Sequence, residues 1–292
     1  MKAEKYRTWQ VGDVKITKVA EMAAASPPVP VEHLFKQATA EMLSGMPWLQ
    51  PHFADTSGRI LMSIHAFVIE TGGRKIVVDT CVGNDKKRNM PAYTDLQGTF
   101  LEDLAAAGYP ADSIDAVICT HLHFDHVGWN TRLVDGEWIP TFPNAEYFFG
   151  RTELDHWNNG GAITRWGDMM GDSVRPVFDA GLARLVDMNH RFNDEVALEP
   201  TPGHTPGHVS VRINSRGHEA IITGDMMHHP LQIGAPDMAI GADSDKEAAV
   251  QTRLAFLARN ADKPVLVLGT HFAAPTAGWI KSDGKTWRLA VA

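Results

Sequence analysis

The chain has 292 residues, of which 44% are hydrophobic and 21% are charged, a composition typical of a globular protein. Its net charge of −8, from 27 basic and 35 acidic residues, argues against a nucleic acid or an anionic membrane as partner. Residues 1–10 lack the apolar core of a signal peptide, and no stretch approaches the ~20 apolar residues of a membrane span. A cytoplasmic protein is therefore expected.

The apolar spacing and the Gly and Pro positions predict mingled strands and helices, which indicates an α/β protein. In chain order, the pattern predicts a strand at 11–19, a helix at 31–43, strands at 60–70 and 75–79, a helix at 99–107, a strand from 114, a short strand within 141–149, a helical insert at 151–173, strands at 196–200, 209–213 and 219–223, a helix at 245–259 and a strand at 264–268. No repeat or linker divides the chain, so a single domain over 1–292 is expected. The Pro-rich segment at about 26–60 is predicted to form a cap or a dimer contact.

One tract, Thr120-His-Leu-His-Phe-Asp-His-Val-Gly128, carries most of the chemical information. It follows an apolar run, 116–119, that is typical of a buried strand. Neutral imidazole and carboxylate are the usual ligands of a borderline metal such as zinc. Residues two apart point the same way in extended backbone, so His121 and His123 can face one point. Asp125 and His126 can face a second point as the chain turns.

Three further ligand candidates follow predicted strands and have glycine nearby. His204 lies in a Pro- and Gly-rich turn, 201–208, that can aim one imidazole. Asp225 follows Thr223-Gly224, and its two carboxylate oxygens could bridge two metals. His271 follows Gly269-Thr270. Cys81 and Cys119, the only cysteines, lie in apolar runs and are predicted to be buried free thiols.

These pieces, in this order, resemble the metallo-β-lactamase-fold hydrolase superfamily. The matching pieces are His-Leu-His-Phe-Asp-His at 121–126, Gly-His-Thr-Pro-Gly-His at 203–208, Gly-Asp at 224–225 and Gly-Thr-His at 269–271. The resemblance implies an αβ/βα four-layer sandwich with a dinuclear metal site. It further implies that His121, His123 and His204 bind one metal, that Asp125, His126 and His271 bind the other, and that Asp225 bridges them.

The resemblance also implies a reaction. Two zinc ions, or other divalent metals, hold a bridging hydroxide that attacks a carbonyl or phosphoryl centre, with Asp125 and Asp225 in the catalytic site. In the lactonase branch, a tyrosine often stands three residues after the bridging Asp, whereas this chain has His228. Histidine could act there as an acid or hydrogen-bond donor, with pocket lining as the alternative. Asp79 could orient a metal-binding histidine or merely cap a strand. His208 is predicted to be a supporting group.

The wording of the motifs is most similar to lactonases, carboxylesterases and organophosphate hydrolases, including the acyl-homoserine lactonase and methyl parathion hydrolase types. Asp225 stands where thiol-binding β-lactamases have Cys, and 21 residues follow His271, too few for the helical domain of glyoxalase-II-like thioesterases. Hydrolysis of an ester or lactone of a small, apolar molecule is the leading hypothesis, and phosphotriester hydrolysis is the alternative. A di-iron redox enzyme on the same fold is the alternative from another class. The insert with Trp157, Trp166, Met169 and Met170 fits an apolar pocket or the core.

Overall fold

The structure is a computed structural model that describes residues 6–22, 29–160 and 163–291. The strands are β1 Tyr6–Val11, β2 Val14–Met22, β3 Val29–Pro30, β4 Arg59–Ile60, β5 Ile64–Thr71, β6 Arg74–Val78, β7 Ala116–Ile118, β8 Thr131–Val134, β9 Glu137–Pro140, β10 Glu146–Gly150, β11 Ala183–Val186, β12 Val196–Pro200, β13 Val209–Ser215, β14 His218–Ile222, β15 Val265–Leu268, β16 Ala277–Asp283 and β17 Thr286–Val291.

The α-helices are α1 Val31–Leu34, α2 Ala40–Ser44, α3 Phe100–Ala106, α4 Phe124–Val127, α5 Arg151–Asn158, α6 Ile163–Trp166, α7 Arg175–Asp179, α8 Leu231–Gly234 and α9 Lys246–Asn260. Short 3₁₀ turns and a π-turn at Met170–Val174 connect several of them. Among the described residues, no helix has the length and apolar character to cross a bilayer.

The described residues form two compact units. The histidine-tract unit comprises 6–21, 64–160 and 163–190, and the C-terminal unit comprises 22, 29–63 and 191–291. Each unit is built on one large mixed sheet. The prediction of a single domain over the whole chain stays a prediction.

The sheet of the histidine-tract unit has seven strands in the order β1-β2-β5-β6-β7-β10-β11. Strand β7 lies between β6 and β10 and is parallel to both. All three of its residues are buried, which explains why the run is continuously apolar rather than alternating. The chain leaves the end of β7 directly into the tract at 120–128. The sheet therefore places the histidines at the carboxyl edge of a central strand.

The sheet of the C-terminal unit has six strands in the order β12-β13-β14-β15-β16-β17. Strands β14 and β15 are parallel neighbours, with Ile222 opposite Leu268. Parallel neighbours end at the same edge, so Asp225 and His271, which follow them, are delivered to one place. The core of this unit includes Phe35, Phe53 and Phe272 beside the sheet residues.

Most predicted elements are confirmed, and several ends agree within two residues. The continuous helix predicted at 31–43 is wrong, because two short helices, α1 and α2, occupy this stretch. Thr39 has extended backbone, and its side chain accepts a hydrogen bond from the amide of Met42. Such a cap competes with helix continuation and starts a new helix instead. Of the segment predicted at about 26–60, residues 26–28 lie outside the described residues, and its role stays a prediction.

Candidate metal centre

The two histidines that begin the tract lie side by side in the histidine-tract unit. Nε2 of His121 lies 3.0 Å from Nδ1 of His123, and both side chains are buried. His123 has extended backbone at the start of α4, so the two-residue spacing turns both rings the same way. The other ring nitrogen of His121 lies 3.1 Å from the hydroxyl of Thr120. This is the convergence that the spacing predicts.

Asp79 organises the rest of the tract from the end of β6. Its carboxylate accepts hydrogen bonds from the amide of Thr120 at 2.8 Å and from the hydroxyl of Thr120 at 2.9 Å. The same carboxylate lies 2.9 Å from Nδ1 of His126. A carboxylate on one ring nitrogen fixes the imidazole so that the opposite nitrogen faces a metal. Of the two roles left open for Asp79, the orientation of a metal-binding histidine has the contact that it requires. The backbone of Asp79 is left-handed, with φ of 57°, which Asp tolerates.

Asp125 and His126 occupy the single turn of α4. The side chain of Asp125 is 16% exposed, and its Oδ1 lies 3.8 Å from Nε2 of His126, which is fully buried. The rings of His121 and His126 have centroids 4.0 Å apart. A six-residue stretch therefore presents three imidazoles and one carboxylate close together.

In the C-terminal unit, a tight turn between β12 and β13 presents His204. Gly203 in this turn has φ of 133°, and a Cβ there would lie 2.2 Å from the backbone nitrogen of Ala249. Only glycine fits, because the turn packs directly on the first turn of α9. Nδ1 of His204 lies 2.9 Å from Oδ1 of Asp243, so Nε2 is the ring nitrogen that would face a metal.

Asp225 lies among the imidazoles of the C-terminal unit. Its Oδ1 is 3.1 Å from Nε2 of His271, and its Oδ2 is 3.4 Å from Nε2 of His204. The opposite ring nitrogen of His271 lies 3.1 Å from the carbonyl oxygen of Ser63. The amide of Asp225 donates to Nε2 of His208 at 2.8 Å, in agreement with a supporting role for His208. One carboxylate oxygen toward each histidine is the arrangement that a bridging ligand needs.

His228 also lies against Asp225. Its Nε2 is 3.0 Å from Oδ2 of Asp225, and its ring stacks on that of His271 with centroids 5.6 Å apart. Nδ1 of His228 is buried and has no hydrogen-bond partner among the described residues. The backbone amide of His228 donates to Oε1 of Gln232 at 2.8 Å, which fixes the turn that carries the ring. The residue thus lies close to the candidate ligands, and its Nδ1 is a buried polar atom that no described residue satisfies.

The seven predicted ligands form two groups, one in each unit. His121, His123, Asp125 and His126 lie in the histidine-tract unit, and His204, Asp225 and His271 lie in the C-terminal unit. Imidazole nitrogen and carboxylate oxygen are donors that suit zinc and similar divalent ions. Since the far nitrogens of several imidazoles already face oxygen atoms, the donor set fits a metal centre.

The thiols take no part in either group. Cys81 and Cys119 are both buried and free, as predicted. Burial raises the pKa of both thiols, so neither is available as a thiolate ligand or nucleophile at neutral pH.

Sequence reasoning did not identify three residues that contact the ligands or the backbone between them. Asp243 lies in a loop before α9, where no pattern marks it. Ser63 contributes a backbone carbonyl, which the residue type does not reveal. Glu153 lies on α5 and is one of many acidic residues in the chain. Glu153 accepts hydrogen bonds from the amide of Leu122 and from the indole of Trp157 and is only 1% exposed.

A family model described as the metallo-β-lactamase superfamily matches residues 59–271. The chain belongs to this superfamily. The matched range covers most of the chain and includes all seven candidate ligands. The predicted metallo-β-lactamase fold is thereby confirmed.

Solved structures and a curated relative agree with this assignment. The N-acyl homoserine lactonase AiiA of Bacillus thuringiensis subsp. kurstaki is 25% identical over 183 residues, which are 57% of this chain and 65% of that relative. The chain thus spans just under two thirds of the length of this curated relative. AidC, a dizinc quorum-quenching lactonase, has a similar structure with a TM-score of 0.79 and 19% identity, covering 100% of this chain and 99% of AidC. The hydrolase AbOPH of the β-lactamase superfamily has the same TM-score and coverage at 25% identity.

Proposed function

We propose that this protein is a metal-dependent hydrolase that opens an ester or lactone bond in a small, apolar molecule. The observation that carries the proposal is the pair of His and Asp groups, with Asp225 directing one oxygen toward His204 and the other toward His271. The proposed metals are two zinc ions per chain. The N-acyl homoserine lactonase relative and the dizinc lactonase of similar fold support the choice of reaction.

Two divalent ions held by these residues would lower the pKa of a shared water and polarise the oxygen of the scissile carbonyl. The residues of the chain fix the ligands in place. Three of the imidazoles are oriented by oxygen atoms of other residues. His126 faces Asp79, His204 faces Asp243, and His271 faces the carbonyl of Ser63. Because these imidazoles are already held in place, they lose little conformational entropy in forming the site on which the substrate reacts.

We further propose that His228 contacts the substrate. Its Nδ1 has no hydrogen-bond partner among the described residues, while its Nε2 faces Asp225. A protonated ring nitrogen could donate to the leaving oxygen, the role that the lactonase branch gives to tyrosine.

The side chains beside His123 support an apolar substrate. The ring centroids of Trp166 and His123 lie 4.5 Å apart, and Trp166 is partly exposed. Trp157, Met169 and Met170, which share the same insert, are almost completely buried and belong to the core. Trp166 is therefore the residue of this insert that we propose to contact substrate.

Hydrolysis by metal-loaded and chelator-treated protein tests the proposal. The panel consists of acyl-homoserine lactones of several chain lengths, aryl esters, a phosphotriester and a β-lactam. We expect turnover of a lactone or ester that is lost with the metal and returns when zinc is added. Turnover of the phosphotriester alone would favour the alternative reaction. Two bound iron ions without any hydrolysis would move the assignment to a redox enzyme.

A further inference from the structure

The peptide group between the first two candidate ligands needs a hydrogen-bond acceptor. The amide of Leu122 lies between His121 and His123, and the Leu122 side chain is completely buried. A buried N–H without an acceptor destabilises the fold. Here the acceptor is a side chain: Oε1 of Glu153, on α5, lies 3.1 Å from the Leu122 nitrogen. The backbone that spaces the two imidazoles is thus held by a helix that follows much later in the chain.

The same oxygen accepts a second hydrogen bond. Nε1 of Trp157, one helical turn after Glu153, donates to Oε1 at 2.7 Å. The indole ring of Trp157 contacts the ring of His123 edge to face, with centroids 5.4 Å apart. One carboxylate oxygen therefore fixes both the backbone between the ligands and the ring that packs on one of them.

We propose that Glu153 is a positioning residue for the His121–His123 pair, and that it sets the geometry with which these two histidines bind a metal. The inference rests on the metal-binding part of the proposed function, and it is independent of which substrate is cleaved. A carboxylate that is 1% exposed is costly to bury, and two donors on one oxygen compensate for that cost. The place of Glu153 in the first turn of α5 adds a favourable helix-dipole interaction.

Two substitutions separate the position of the oxygen from its charge. Glu153→Gln keeps the side-chain length and an acceptor oxygen but removes the negative charge. Glu153→Asp keeps the charge but withdraws the carboxylate by one methylene. If Glu153 acts by position, Glu153→Gln leaves metal binding close to that of the unmodified protein, and Glu153→Asp weakens it.

The experiment measures Co²⁺ and Zn²⁺ dissociation constants of the full chain by competition with a chelating dye, together with the visible absorption spectrum of the Co²⁺ form. We expect Glu153→Asp to weaken one of the two sites by roughly 10–100-fold, the usual effect of an outer-shell residue, and to alter the spectrum. Glu153→Gln should keep both the affinity and the spectrum. Glu102→Gln, on the exposed face of α3, controls for loss of a charge on the same unit.

Weaker metal binding in Glu153→Gln together with unchanged binding in Glu153→Asp would overturn the positioning role in favour of a charge effect. Unchanged metal binding in both variants would leave Glu153 a packing residue only. Trp157→Phe keeps an aromatic ring but removes one donor to Oε1. It should weaken metal binding at the same site by a smaller factor, and it provides a second variant in case Glu153→Asp fails to fold. If the unmodified protein binds two metals but cleaves no ester or lactone, the proposed reaction fails while the Glu153 test still stands.

Discussion

At the residue scale, the hydrogen-bonded nitrogen of each ligand histidine matters as much as the metal-facing one. His126 faces Asp79 and His204 faces Asp243 through Nδ1, each at 2.9 Å. Such a carboxylate selects the tautomer, orients the ring and raises the basicity of the ligand nitrogen. These contacts preorganise the imidazoles as ligands.

Removing the carboxylate behind His204 tests this preorganisation. We expect Asp243→Ala to weaken one metal site by roughly 10–100-fold, since the imidazole can then rotate or change tautomer. Isothermal titration with zinc measures the effect. Asp194→Ala, at an exposed turn before β12, is the control. Equal affinity in Asp243→Ala and the control would show that Asp243 does not orient the ligand.

His228 is predicted to act on substrate and not on metal. We expect His228→Phe, which keeps a ring to stack on His271, to lower kcat by about 10²–10⁴-fold with two metals still bound. Metal analysis and steady-state kinetics on the best substrate of the panel measure the two effects separately. His218→Gln, at the exposed start of β14, should change neither. A His228 variant that loses a metal would instead make His228 a ligand.

At the element scale, the turn that carries His204 depends on one glycine. We expect Gly203→Ala to lower the free energy of unfolding by about 3 kcal/mol or more, because a Cβ adds a clash with α9 to an unfavourable φ. Gly217 is the matched control, since its φ is 78° and a Cβ there meets nothing within 4 Å. Gly217→Ala should cost only about 1 kcal/mol. Urea unfolding of the metal-free variants gives both values, and similar costs would contradict the close packing described for Gly203.

Elements with a strong local signal could be predicted, and those that depend on tertiary contacts could not. The buried run before the tract and the helix at 245–259 were predictable from apolar spacing, and the structure has β7 and α9 there. The hairpin of β16 and β17 was not predicted, because β17 is an edge strand with only one fully buried residue, Leu289. An edge strand exposes most of its side chains and so has weak alternation.

The ligand set was readable because its residues are adjacent to strand ends and glycines, whereas the residues behind the ligands were not. Asp243 and Glu153 reach His204 and Leu122 from elements distant in sequence. Nothing in the local pattern separates such an acid from the many that lie on the surface. Only the folded arrangement identifies them.

At the scale of the whole molecule, metal binding should contribute to stability. Ligands that converge only in the folded chain bind metal only there, so bound metal shifts the folding equilibrium. We expect the melting temperature to fall when a chelator removes the metal and to recover on addition of zinc. At a free zinc concentration 100-fold above the dissociation constant, each site contributes about 2.7 kcal/mol. A melting temperature that ignores the chelator, with metal loss verified, would contradict binding at the sites proposed.

Acid should destabilise the fold through a histidine outside the ligand set. His229 is fully buried, its Nε2 donates to the carbonyl of Phe53, and its Nδ1 accepts from the amide of Leu231. Both ring nitrogens of neutral His229 are thus hydrogen-bonded, and burial lowers the pKa of His229 from 6.5 to about 4. Below pH 6.5, His229 becomes protonated in the unfolded chain but stays neutral in the folded chain. The free energy of unfolding therefore falls as the pH falls from about 6.5 to 4.

The loss should be on the order of 3 kcal/mol across that interval, given 1.36 kcal/mol per pKa unit. Urea unfolding of metal-free protein at several pH values measures it, because the metal ligands then add no linked metal release. His229→Phe should be less stable at pH 7, where its two hydrogen bonds are missing, yet should lose less stability than the unmodified chain on acidification. The difference between the two slopes isolates His229 from the other histidines, and parallel slopes would mean that this buried ring is not what makes the fold sensitive to acid.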